Sequence, residues 1–386
     1  MKPLEIYLHI PFCVKKCSYC DFLSAPGSSE TRRAYIEALK KEILHFPGWE
    51  KYRVETVFFG GGTPSLLPAE DIDAVLETLR ERFAFSDSPE ITIECNPGTA
   101  DREKLISYRS SGINRLSLGL QSADNRWLAL LGRIHTWEDF LQTYHQARSA
   151  GFSNINVDLM SALPGQSPDS WGDTLKKTAA LKPEHISAYS LILEPGTPLY
   201  ERYRDEAEKR EKGEDTEFLP TEEEEREMYW STQEILEEAG MKRYEISNYA
   251  RPGYACRHNV GYWTGIEYAG FGLGAASLLE HVRYENPREL SSYINGDFTG
   301  RVRTALKMKD EMEEFMFLGL RLKKGVSGKE FRKRFDREIN TVYGETILRL
   351  QKEGMLKQEE DFLSLTDRGT DLANYVMAEF LLDKEA

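Results

Sequence analysis

Six short runs rich in β-branched and aromatic residues recur along the first half of this chain, each followed by a segment of helical spacing. That alternation limits the fold more than any other feature. The runs are LEIYLHIPF, VETVFFGGG, EITIECNPG, INRLSLGLQS, NINVDLMSALPG and HISAYSLILEPG. Between them, TRRAYIEALKKEILHF, AEDIDAVLETLRERF and TWEDFLQTYHQARSAG carry apolar residues at helical intervals. Thr31 and Thr136 stand where N-caps belong, Asp139 completes a capping box with Thr136, and Gly151 sits at a C-terminal stop. Strand–helix alternation specifies a parallel sheet, because parallel neighbours are joined by crossovers. The expectation is an α/β fold, an open or partial barrel of six βα units, with every strand ending in Gly, Pro or polar residues on one carboxyl edge.

That edge is where α/β folds place their sites. It collects Cys13, Cys17 and Cys20 after the first strand and the run GGGTP, residues 60–64, after the second. Glu94 follows on the third strand, Gln121 on the fourth and Asp158 on the fifth, with Arg133 in the segment after the fourth. So many polar and glycine stations on one rim are hard to attribute to packing.

Three of the five cysteines form C-x3-C-x2-C within HIPFCVKKCSYCDF, residues 9–22, while Cys95 and Cys256 stand alone. An odd count crowded this way is no disulfide framework, and it places the chain in a reducing cytoplasm. The apolar runs are too short to cross a bilayer, and the first residues lack the order of a signal peptide. Buried packing, a zinc site with His9 as fourth ligand, a redox dithiol and an iron-sulfur cluster all remain open on spacing alone. Lys15, Lys16 and Ser18 among the thiols make packing the weakest of these. Sixty-four acidic against fifty basic side chains give a net charge of -14, which repels a phosphate backbone and argues against nucleic acid as the main partner. The 386 residues suffice for two or three domains, or one barrel with additions.

The triple-cysteine loop together with Tyr7, HIPFC, Tyr19, GGGTP, ECNPG, GLQS, LGR and NVDLM resembles the radical S-adenosylmethionine (SAM) enzymes. The likeness is to the branch that contains oxygen-independent coproporphyrinogen III oxidase and its relatives, the heme chaperones. It covers residues 1 to about 200 in order and spacing, and the C-terminal region resembles that branch too. The resemblance implies a partial (β/α)6 radical SAM barrel. It implies a 4Fe-4S cluster on Cys13, Cys17 and Cys20, with the open iron held by the amino and carboxylate groups of SAM. Tyr7, Tyr19, Gly61, Gly62, Thr63, Glu94, Gln121, Arg133 and Asp158 are then the expected cofactor contacts. Among them the glycine run would approach the methionyl amino group, Arg133 would pair with its carboxylate, and Asp158 would accept from the ribose hydroxyls. Cys95 reads as a small buried residue.

Beyond residue 200, ERYRDEAEKREKGEDTE carries 13 charged residues in 17 and reads as an exposed helical insertion. The segment YACRHNVGYWTGIEYAGFGLGAASLLEHVRY reads generically as two or three added strands. Its HNVGYW is similar to the H-N-x-x-Y-W signature of the heme chaperones. The resemblance makes His258 the candidate heme ligand, Cys256 a distant second, and Tyr262 and Trp263 packing for a porphyrin face. From residue 305 three helices and a hairpin are laid out like a winged helix. Residues 321–334 hold seven basic side chains and one acidic, and read as a solvated, protein-facing or membrane-facing surface. The segments are therefore 1–240, a radical SAM core barrel, 241–304, extension strands with the HNxxYW motif, and 305–386, a C-terminal helical domain. Two functions fit the resemblance. One is a chaperone that binds heme and passes it to acceptor proteins, including a membrane-associated one; the other is a coproporphyrinogen III oxidase. Phe22 stands where the oxidases have a fourth cysteine, and the motif begins almost at the first residue, without the long preceding segment of the oxidases. Both departures favour the chaperone, and no catalytic residue is assigned.

Overall fold

The computed structural model of the chain describes residues 1–296 and 302–382. Strands β1 (Lys2–Ile10), β2 (Tyr52–Gly61), β3 (Ala84–Cys95), β4 (Arg115–Gln121), β5 (Ile155–Ser161) and β6 (His185–Ser190) lie side by side in sequence order, all parallel. The short strands β7 (Lys242–Arg243) and β8 (Asn248–Ala250) extend the β6 edge antiparallel. On the other edge β9 (Tyr268–Phe271) runs parallel to β1, and β10 (Ala276–Leu279), β11 (Val282–Glu285) and β12 (Val302–Ala305) continue antiparallel. The sheet so formed has twelve strands.

Alternation along each strand decides which side chains meet which neighbours. Ile6, Leu8, Ile91, Ile93, Leu116, Leu118, Val157, Leu159 and Ile186 are buried in the main core. The alternate positions face the lumen and are polar: Glu5 pairs with Thr56, Thr56 with Glu90, Ser117 with Asn156, and Asn156 with His185.

The helices begin and end for local reasons. Thr136 and Asp139 close a capping box on Trp137–Ser149, and Gly151 at φ +92° ends it, with the Phe152 N–H donating to the Ala147 carbonyl at 3.1 Å. Thr31 is not an N-cap. Ser28, three residues before the expected cap, takes that position in extended conformation and accepts from the Thr31 N–H, so the helix starts at Ser29.

The charged insertion forms the helix Arg204–Glu211. Glu206 in it is buried, because its carboxylate collects the N–H groups of Glu217 and Phe218 at 2.6 and 2.9 Å. HNVGYW is not a strand: Arg257–Thr264 is a helix, and the added strands start only at Tyr268. Helices Met308–Gly319, Gly328–Phe335 and Ile339–Lys352 pack with β13 (Val326–Ser327) and the hairpin β14 (Leu356–Glu359) and β15 (Phe362–Leu365) around a second core centred on Met316, Phe331, Tyr343, Leu350 and Phe380. The expected third segment runs on to residue 386, and its last four residues lie outside the described residues.

Candidate cofactor site

The loop after β1 is fastened on three sides. Gly62 and Thr63 donate their N–H groups to the Ile10 and Phe12 carbonyls, both at 2.8 Å. Ser18 donates to the Leu131 carbonyl at 2.9 Å and accepts from the Leu199 N–H at 2.8 Å. So held, Cys13, Cys17 and Cys20 share the wall of one cavity. Thr63 Oγ1 lies 3.4 Å from Cys13 Sγ and Arg133 Nη1 lies 3.5 Å from Cys17 Sγ, donors that suit thiolates.

His9 is not a fourth ligand. It is 8% exposed, its Nδ1 is bonded to the Tyr7 hydroxyl at 3.1 Å and its Nε2 to the Leu23 carbonyl at 2.9 Å. Among the described residues no three His, Cys, Asp or Glu side chains converge on a single ion position. Three thiols on one wall fit a cubic cluster with one iron left for another ligand.

The cavity has a volume of about 390 Å³, within the range of small-molecule and cofactor sites. Tyr19, Gly61, Gly62, Thr63, Glu94, Gln121, Arg133 and Asp158 line it beside the thiols. Tyr7 and His258 are not in its lining. Tyr7 stands behind the glycine run, its ring 6.3 Å from that of Phe58.

The glycines are needed for a reason other than close approach to a ligand. A Cβ on Gly61, at φ +109°, would lie 2.5 Å from His9 Cε1, and one on Gly62 would lie 2.7 Å from the Phe12 carbonyl oxygen. The chain itself fills that space. The N–H groups are committed inward as well, that of Gly61 to Glu94 Oε2 at 3.2 Å. With these N–H groups taken, Gly61 and Gly62 offer no free amide donor to a carboxylate.

The electrostatics agree. Burial and then the charge of Asp158 push the Glu94 carboxyl up to about 8, against the Gly61 N–H and Arg115. Burial also raises Asp158, which accepts from Asn156 Nδ2 at 2.8 Å and Ser117 Oγ at 3.1 Å. Two facing acids at the cavity fit a cationic ligand. Arg133 uses Nη2 on Asn96 Oδ1 and the Gly119 carbonyl, both at 2.6 Å, while its buried Nε has no partner. Gln121 ends β4 in the left-handed region, φ +74°, at a shift in the β4–β5 register. Strain of that kind at a strand end re-aims a side chain.

Sequence reasoning missed Asn96, Ser117, Met160 and Tyr189, which also line the cavity. Asn96 carries a usable signal, since it follows Glu94 by two in the ECNPG run on the same edge. Ser117 carries none.

HNVGYW lies elsewhere. His258 is 2% exposed, its Nδ1 bonded to Thr56 Oγ1 at 2.6 Å and its Nε2 to the Tyr262 hydroxyl at 3.1 Å. Burial holds it neutral, lowered to about 3. Both nitrogens are engaged, so the docked ring offers nothing to a metal. Cys256 is buried too, and burial pushes its thiol up to about 12. Tyr262 and Trp263 do line a second cavity of about 210 Å³, shared with Arg283, Phe315 and Arg334.

Comparison with known proteins extends these observations. The sequence model of the radical SAM superfamily matches residues 7–178, and that of the HemN C-terminal domain matches residues 306–372. The heme chaperone HemW of Lactococcus lactis is 36% identical over 384 residues, covering 99% of this chain and 98% of its own. That of Bacillus subtilis is 34% identical over 381 residues, covering 97% and 98%. Among solved structures, coproporphyrinogen III oxidase (HemN) from Escherichia coli superposes with a TM-score of 0.82 at 25% identity, over 98% of this chain and 90% of that one. A barrel carrying three cluster-spaced thiols on its carboxyl edge, aligned end to end with these relatives, places the chain in the HemW family of the radical SAM superfamily.

Proposed function

We propose that the chain is a heme chaperone that holds a 4Fe-4S cluster on Cys13, Cys17 and Cys20, binds SAM beside it, and passes heme to acceptor proteins. The observation that carries this reading is the full-length likeness to proteins named heme chaperone HemW. Phe22 supports it: 64% exposed at the cavity mouth, it stands where the oxidases have a cysteine.

When bound, the cluster supplies an electron that can cleave a sulfonium. The protein's part is to bind and orient. The carbonyls of residues 60–62 and the Glu94 carboxylate receive the methionyl ammonium, Arg133 its carboxylate, and Asp158 a ribose hydroxyl. Tyr19 and Gln121 close the walls, and Tyr7 and Thr63 steady the glycine run and Cys13. Heme iron reaches His258 only if the helix Arg257–Thr264 leaves Thr56 and Glu90. Tyr262 and Trp263, by contrast, already face a cleft in which a porphyrin face can pack. In the basic stretch 321–334, Arg321, Lys323, Arg332 and Lys333 are paired with Glu245, Asp367, Glu338 and Glu330, Lys324 and Arg334 lie over the rings of Phe362 and Phe335, and the Lys329 side chain can meet an acidic acceptor or an anionic membrane around one. Among the described residues no helix is long and apolar enough to cross a membrane.

Oxidation of coproporphyrinogen III is the second reading, favoured by the superposition on HemN. Anaerobic reconstitution separates them: the protein is expected to retain heme and to leave coproporphyrinogen III unconverted. Conversion to protoporphyrinogen IX would reverse the ranking.

A further inference from the structure

Closed βα barrels fill their lumen with branched apolar side chains, yet below the cofactor cavity this one holds Glu5, Glu90, Arg115, Asn156 and His185, none more than 7% exposed. Nothing in the cofactor site uses most of them.

A hydrogen-bonded chain crosses this lumen, and its direction follows from its ends. The Cys256 N–H can only donate, and it meets the Tyr244 hydroxyl at 3.3 Å. Tyr244 then directs its own proton to His185 Nε2 at 2.8 Å. His185, accepting at Nε2, carries its proton on Nδ1 and donates to Asn156 Oδ1 at 2.6 Å. The Asn156 amide donates to Asp158 Oδ1 at 2.8 Å. Burial keeps His185 uncharged, as a single tautomer requires. Cys256 is the N-cap of the helix Arg257–Thr264, and the next two N–H groups, of Arg257 and His258, end on Glu90 at 3.2 Å each.

We infer that this chain couples the cofactor cavity to the HNxxYW helix, with His185 and Tyr244 as positioning residues between them. The inference rests on the proposed role of Asp158. A ligand hydroxyl that donates to Asp158 competes with Asn156 for the carboxylate. In a dry lumen each link polarises the next, so a weaker last link weakens the hold of Tyr244 on the Cys256 N–H. The ligand thereby makes a different contact with each position of the helix, which is what coupling demands.

The test uses the full chain with its cluster reconstituted. SAM affinity is measured by calorimetry, and amide hydrogen exchange is followed in residues 256–261 with and without SAM. The helix Pro168–Ala180 is the internal reference, since any ligand slows exchange throughout a core. Exchange in residues 256–261 should change by about threefold or more relative to that reference. Tyr244→Phe should weaken SAM about threefold, though Tyr244 does not line the cavity, and should erase the helix-specific change. A merely structural Tyr244 would lower the melting temperature and leave SAM affinity alone. SAM bound equally by both proteins, with residues 256–261 following the reference, would overturn the inference. Failure of the wild type to bind SAM would overturn the cofactor reading and this inference together. If Tyr244→Phe does not fold, the wild-type exchange comparison decides by itself.

Discussion

At the carboxyl end of the barrel Glu94 and Asp158 face an open cavity, whereas at the amino end Glu5 and Glu90 face a helix that closes the lumen. Each is a pair of neighbouring acids, buried at the amino end and half-buried at the carboxyl end, and desolvation beside a like charge raises Glu5 in one and Glu94 in the other. At the amino end the protein supplies the remedy. Glu90 collects N–H groups at the helix start, where donors and dipole suit a carboxylate. Glu5 is pushed up to about 9 and keeps its proton, packed so tightly under the helix that a Cβ on Gly261 would lie 1.8 Å from its Oε1. At the carboxyl end, among the described residues, Glu94 accepts from one backbone N–H, that of Gly61. An acid pair sealed by its own chain is structural, and one left facing a cavity awaits a cation.

The sharpest way to break this comparison is to remove a cluster ligand. Cys17→Ser should abolish the iron-sulfur chromophore, while Cys95→Ala, a buried thiol of β3 that borders the same cavity, and Cys256→Ala, a buried thiol outside it, should retain it. Iron and sulfide analysis of anaerobically purified protein checks this. Full cluster content in Cys17→Ser would remove the loop from the site.

Next in size is the seal at the amino end. Glu90→Ala takes the acceptor from the N–H groups of Arg257 and His258 and should cost about 2 to 6 kcal/mol of stability, the sum of about 1 to 3 for each donor left without a partner. Urea unfolding measures it. His258→Ala should likewise lower the urea midpoint, because its ring is held by Thr56 and Tyr262. An unchanged midpoint in both variants would mean that the helix is not docked as seen.

The two ends also differ in how far the sequence reveals them. The carboxyl edge is legible because its residues sit at strand ends, a few positions from the apolar runs that define the strands: Cys13 after β1, Glu94 in β3, Asp158 in β5. Local order and spatial order coincide there. The longer segment that contains HNVGYW reads as two or three added strands, from its aromatic residues and glycine turns. HNVGYW is a helix because Glu90 and Thr56, 168 and 202 residues away from His258, supply its cap and its ring partner. No local pattern carries that information. The lumen chain is hidden for the same reason, since Asn156, His185, Tyr244 and Cys256 come from separate stretches of the sequence and meet only in the folded sheet. Ser28 and Thr31 show the limit at short range: both hydroxyls can cap a helix, and only the backbone decides which one does.

The last expected effect is one of pH, and it distinguishes the two ends without altering either seal. Glu5 and Glu94 have folded values near 9 and 8, against an ordinary value of 4.5. The folded chain therefore keeps protons that the unfolded chain has released, and stability falls as pH rises through those values. Buried His135 and His258 are lowered to about 4 and 3, so they oppose the acids only below their ordinary value of 6.5. Between about pH 6.5 and 9 these histidines no longer oppose the acids, and the urea midpoint should decline across that window. Below about pH 8 both acids contribute to the slope, so Glu94→Gln should make the decline shallower there and leave the part above it, whereas Glu5→Gln should remove the part between about pH 8 and 9 and make the rest shallower. SAM should act like the first substitution, because an ammonium beside Glu94 favours the ionised carboxylate and draws its proton off on binding. Its affinity should accordingly rise toward pH 8 and level off beyond, leaving the Glu5 part of the decline in place. A flat urea midpoint between pH 6.5 and 9 would show that neither acid is held protonated. A decline that SAM erased at both ends alike would dissolve the distinction between the open pair and the sealed one.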